Sequence, residues 1–248
     1  MEDCRAMTRG FREPFYTLLT PSNRYASRLA GLRDVSVVKL VTPRLAPSRF
    51  GQYLLDIAAG GGTARPVAAG LEHFFFCLEG EATLHAGASE HALSAGGFAY
   101  LPDDASFELA SGEGARLLWL KRPYEPAGDR PAPALRSGHR DDVTPTRTPV
   151  PGLTRQELLD PEDEAFDFNM SLLRFEPGVA LDRVEIHDEE HGLYMTAGGG
   201  LYLLGSRHHE VHAGDFIYMA PYCPQSFVAS GTEPAEYLLY KDVYRDGF

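Results

Sequence analysis

A chain of 248 residues, 44% hydrophobic and 23% charged, has enough apolar mass to bury one large β domain or two of ordinary size. Its formal charge of −12, with no basic arm to offset it, excludes the clustered lysine and arginine on which a nucleic-acid partner depends. No run approaches the roughly 20 apolar residues of a membrane span, so no membrane association is expected.

In chain order, residues 1–34 are polar and punctuated by Pro14, Pro21, Ser22 and Asn23, and read as an irregular N-terminal arm packed over a barrel or a partner subunit. Strand character begins with Val35–Thr42 and Phe50–Ile57, which are β-branched or aromatic runs bounded by proline and glycine. Short strands separated by glycine turns continue through Glu72–Gly80, Ala82–His85, Phe98–Leu101 and Arg116–Leu120, a spacing that favours a sandwich or small barrel over 35–122. Residues 123–150 are rich in proline and poor in large apolar side chains, and read as a surface linker. Thr154-Arg-Gln-Glu157 has the form of a capping box and predicts a short helix through Leu158 and Leu159 before Pro161. Strand signals resume at Phe166–Phe175 and run to Tyr237–Tyr244, placing a second domain at 151–248. The three cysteines, Cys4, Cys77 and Cys223, are widely spaced without a CxxC pair, and the charged N-terminus has no apolar run of signal-peptide length. Reduced thiols and a cytoplasmic location are the expectation.

The two halves repeat one another. His73 and His191, Gly80 and Gly198, Gly96 and Gly214, Phe98 and Phe216, and Tyr100 and Tyr218 are each 118 positions apart. A constant offset through both blocks marks an internal duplication without an insertion between them.

The chemistry concentrates in the second copy. Alternate residues of an extended strand share a face, so Glu185, His187 and His191 can project to one side. One carboxylate and two imidazoles, closed by Gln225 from a neighbouring strand, form a nitrogen and oxygen set that suits a first-row divalent metal. The same positions in the first copy are Val67, Ala69, His73 and Phe107. Three apolar residues and a lone histidine do not make a metal site, so the first barrel is expected to lack one. His73, Glu72, His85 and His91 read as structural or rim residues, and Trp119 and Phe74–Phe76 as core or interface. His208, His209 and His212 read as surface residues, and the acids Asp188, Glu189 and Glu190 as a solvated loop face. On the last strand Tyr237 and Lys241 share parity and can both face inward; Tyr202, after the Gly198 turn, is a weaker candidate.

The run Gly178-x6-Glu185-x-His187-x3-His191-x6-Gly198, followed by Gly214-Asp-x9-Gln225, resembles the two-part cupin motif. It keeps the spacing but permutes the residues: Glu185 stands at the first histidine position, His191 at the glutamate position, and Gln225 at the final histidine. The motif's later proline falls one place late, at Pro221. With Glu190-His-Gly, Met219–Phe227 and Tyr240–Arg245, this permutation is similar to the (S)-ureidoglycine aminohydrolase family. The resemblance implies an all-β bicupin, two double-stranded β-helix or jelly-roll barrels. It implies a manganese-dependent hydrolase of C–N bonds that releases ammonia from (S)-ureidoglycine, giving (S)-ureidoglycolate in allantoin and purine breakdown. One Mn2+ per chain would sit in the second barrel on Glu185, His187, His191 and Gln225. The small anionic ureido substrate would meet Tyr202, Tyr237, Lys241 and Gln225, with Lys241 pairing its carboxylate, Tyr237 donating a hydrogen bond and Glu185 available as acid or base. The duplication, an open apolar barrel face and the arm add the expectation of a homo-oligomer. Two other readings stay open: a cupin dioxygenase or isomerase of a small carbonyl compound using the same four residues, and a bicupin that binds a ligand without turning it over.

Overall fold

The computed structural model describes residues 9–243, apart from Ala46, together with Arg245. Cys4, the first residues of the expected arm and Tyr244 therefore lie outside the described residues; Cys77 and Cys223 are free and buried. The fold is all-β, and two single 3-10 turns, Pro21–Asn23 and Arg140–Asp142, are the helical segments among the described residues. None of the described helices is long and apolar enough to cross a membrane. The chain forms two compact units, Tyr25–Val143 and Met1–Arg24 with Thr144–Phe248.

In the Tyr25–Val143 unit the long strands Gly51–Thr63 and Glu72–Ala86 each pair with Ala115–Arg122, and Leu32–Val41, Gly97–Leu101 and Arg136–His139 extend the sheet on either side. Period-2 alternation points Val35, Val37, Tyr53, Leu55, Ile57, Phe75, Cys77, Leu117 and Trp119 into one apolar core. In the other unit Tyr16–Leu19, Phe216–Met219, His191–Ala197, Ala235–Asp242, Phe168–Phe175 and Leu153–Glu157 are consecutive neighbours in one sheet. Gly199–Leu204, Arg207–His212 and Gln225–Val228 form a second sheet. Leu193, Met195 and Tyr237 of the first share a core with Tyr202, Leu204, Val211 and Phe227 of the second.

The duplication is written into the backbone. Val67 and Phe107 form an isolated antiparallel bridge, and so do Glu185 and Gln225, the same pair 118 residues on. Glu72 accepts a hydrogen bond from the Tyr100 hydroxyl at 3.0 Å, and Glu190 from the Tyr218 hydroxyl at 3.1 Å. Gly80 and Gly198 both take positive φ, +72° and +63°, at a β-bulge. A Cβ on either would run into a carbonyl oxygen of the facing turn, Gly114 or Pro234, which is why only glycine serves. In the turn before the last strand the second copy is two residues longer: Lys121 lies opposite His73 and Lys241 opposite His191, an offset of 120.

Three expectations are corrected. Residues 153–157 form a strand rather than a capped helix, paired from Leu153 opposite Phe175 to Glu157 opposite Ser171. Tertiary pairing outweighs the local capping motif there, and Arg155 and Glu157, two apart on one face, pair at 2.7 Å. The arm is not irregular: Tyr16–Leu19 pairs with Phe216–Met219 and buries Tyr16, Thr17 and Leu18. The proline-rich stretch contributes the short edge strands Arg136–His139 and Thr146–Arg147, which pair with Gly97–Leu101 and Leu153–Glu157.

Candidate active site

The stretch 185–191 is not one extended strand. Glu185 is held by two backbone bonds to Gln225, of 2.8 and 3.0 Å, the next residues are irregular, and His191 opens the strand His191–Ala197. The chain thereby folds His187 back over His191. Their Nε2 atoms lie 3.2 Å apart, and the Gln225 side-chain amide lies 3.1 Å from His187 Nε2. Glu185 remains exposed and outside this trio, so parity alone did not set its direction. Among the described residues no three His, Cys, Asp or Glu side chains converge on one point; two imidazoles and an amide do.

The proton positions decide what that trio fits. His191 is buried, and its Nδ1–H donates to the Tyr240 carbonyl at 3.4 Å, leaving a lone pair on Nε2. Burial, then the charges of His187 and Lys241, push its pKa down to about 3, so the ring is neutral. His187 Nδ1 lies 2.7 Å from Glu189 Oε2, an ion-pair distance at which the carboxylate favours the ring proton on Nδ1. Two nitrogen lone pairs then face each other at 3.2 Å, a repulsive arrangement that a divalent cation between them converts into an attractive one. Rotating the Gln225 amide by a half turn presents its oxygen to the same point. The residues present fit a metal ion.

Glu189 is the residue that the sequence reading missed. Its other oxygen lies 2.9 Å from Lys241 Nζ, so one carboxylate spans His187 and Lys241. Burial raises its pKa, but the Lys241 bond, the Lys241 charge and His187 outweigh this and hold it below the usual range. The available signal was spacing, two residues from each histidine. The acid run is not a solvated face: Glu190 is fully buried on Tyr218, and Asp188 is half-buried.

Tyr202 and Tyr237 come from the two facing sheets, are buried, and hydrogen-bond to one another. Burial raises both hydroxyls well above their ordinary pKa, and the charge of Glu185 adds to the rise. His209, expected at the surface, is instead buried with its Nε2 3.0 Å from the Tyr16 hydroxyl, while His208 and His212 are exposed. In the other unit the counterpart His73 is buried, accepts a 3.1 Å bond from Trp119 Nε1 on Nδ1, and is pushed down to about 3 by burial and then by Lys121.

A cupin domain model matches residues 171–240. The (S)-ureidoglycine aminohydrolase of Arabidopsis thaliana is 33% identical over 247 residues, 99% of this chain and 82% of that protein. The (S)-ureidoglycine aminohydrolase of Escherichia coli (strain K12) is 33% identical over 237 residues, 93% of this chain and 89% of that one. The crystal structure of protein Ylba from E. coli superposes with a TM-score of 0.88 at 28% identity, covering 100% of this chain and 99% of that chain.

Proposed function

The chain belongs to the (S)-ureidoglycine aminohydrolase family of cupin proteins, and from that premise we propose that it releases ammonia from (S)-ureidoglycine to give (S)-ureidoglycolate in the unit that carries His187 and His191. The observation that carries this reading is the convergence of the two imidazole Nε2 atoms and the Gln225 amide, 3.1 to 3.2 Å apart, beside Lys241.

His187, His191 and Gln225 would hold one divalent metal per chain, and Glu185, exposed beside them, would turn inward to complete the set. The mixed set, with hard oxygen donors beside two imidazoles, favours manganese over metals that seek sulfur. When bound, the ion supplies a Lewis acid and a positive field at the reacting carbon. Lys241 receives the substrate carboxylate while keeping Glu189 on its far side, so the pair enters the reaction as a fixed, charge-balanced clamp. Tyr202 and Tyr237 stay protonated because burial disfavours their anions, and they orient the substrate as hydrogen-bond donors. Phe227, packed on both tyrosines, keeps that wall apolar. The reacting carbon carries an amine, a ureido nitrogen and a carboxylate; the protonated amine leaves as ammonia while the ureido nitrogen lone pair forms a C=N bond to that carbon, water then adds to the carbon as those electrons return to nitrogen, and Glu185 takes the water proton. Exposed Val184, Ile186 and Tyr222 around the site support a homo-oligomer in which this rim is covered.

The test is ammonia release from ureidoglycine generated in situ from allantoate, with and without manganese, followed by chiral separation of the product. Metal-stimulated formation of the S product is expected; a rate equal to the spontaneous one overturns the proposal.

A further inference from the structure

The Tyr25–Val143 unit has lost the metal donors but not the cations. A cavity of about 620 Å³ in this unit is lined by Leu32, Arg65, Val67, Trp119 and Lys121 among others, and no acidic side chain lines it. Lys121 is half-buried, with Nζ 4.5 Å from the centre of the Trp119 ring and 5.0 Å from that of Tyr53. Neither Lys121 nor Arg65 makes an ion pair among the described residues. In a chain of net charge −12, two cations facing one cavity without a counter-charge need an explanation.

The duplication supplies it. Lys121 lies opposite His73 as Lys241 lies opposite His191. In the second copy Lys241 is neutralised by Glu189 at 2.9 Å and Arg183 by Asp182 at 2.8 Å. The residues 118 positions earlier are Leu71 for Glu189, Ala64 for Asp182 and Arg65 for Arg183. Both cations have a counterpart in the first copy, and apolar residues stand at the positions of both acids. Behind Lys121, His73 Nε2 is buried without a hydrogen-bond partner. Val67, Ala69 and Phe107 offer no donor to a metal, so what the first copy shares with the site is its lysine, joined at this cavity by Arg65.

We propose that this cavity binds a small monocarboxylate with a planar or apolar body, its carboxylate between Lys121 and Arg65 and its body against Val67, Leu32 and the Trp119 indole. The ligand is held and not turned over. Binding here is independent of the reaction in the other unit.

Trp119 is the sole tryptophan, so its fluorescence reports this cavity alone. Sodium benzoate is titrated into the full-length, metal-loaded protein at constant ionic strength, with sodium chloride as the control anion. A saturable change with benzoate and none with chloride is expected, weakened about tenfold or more by Lys121→Met and by Arg65→Ala and unaltered by Lys241→Met. Arg65 is exposed, so its replacement leaves the fold intact if the lysine variant does not. A response shared with chloride, one that survives both substitutions, or one removed by Lys241→Met overturns the proposal.

Discussion

Glu189 touches both His187 and Lys241, so replacing it separates its two contacts. Glu189→Gln keeps the shape and removes the charge that holds the His187 proton on Nδ1. A loss of about 10–100-fold in metal affinity is expected, read by competition with a chelator in the absence of substrate; unchanged affinity would place Glu189 with Lys241 alone. His73 carries a second prediction. Its pKa is lowered in the folded state, so the unfolded chain takes up a proton first as pH falls below the ordinary value of 6.5. Its contribution is therefore complete above 6.5 and lost toward acid, by about 1.4 kcal/mol per pH unit until the folded value near 3. His73→Gln, which can still accept from Trp119, should unfold in urea with a shallower dependence on pH between those limits. The histidines and Gln225 were legible in the sequence because their spacing repeats a blank copy of itself. Glu189 was not, since three consecutive acids look alike until the turn sends one to a lysine and one to a buried tyrosine.

At the scale of elements, alternation revealed the core strands because their inward residues are large and regularly spaced. It failed where pairing partners are remote. Thr154–Glu157 satisfies a helix rule locally, yet its backbone bonds go to Phe168–Phe175. Tyr16–Leu19 is only four residues, and its partner lies near the other end of the chain. Leu18 is completely buried there, so Leu18→Ala should cost about 2–5 kcal/mol of unfolding free energy by urea titration. An irregular arm would lose almost nothing. The bulges at Gly80 and Gly198 were visible as matched glycines, but the two extra residues in the turn before the last strand of the second copy were not. That shift decides which lysine answers which: Lys121, and not Pro123, stands in register with Lys241.

Over the whole molecule, duplication was the strongest sequence signal because a fixed offset needs no structural assumption. The matched bridges Val67 to Phe107 and Glu185 to Gln225 show that the two copies differ at these positions in side chains on an equivalent backbone arrangement. What the offset did not reveal is that the second unit draws a strand from before the first. Leu18 pairs with Ile217, and the complete Tyr25–Val143 unit is encoded between them. Synthesis therefore makes Tyr16–Leu19 early and leaves it without its partner strand for on the order of tens of seconds while the intervening chain emerges. The unit holding His187 and His191 can close only after Phe216–Met219 has left the ribosome, so the reaction site is assembled last, with an apolar strand kept waiting for it.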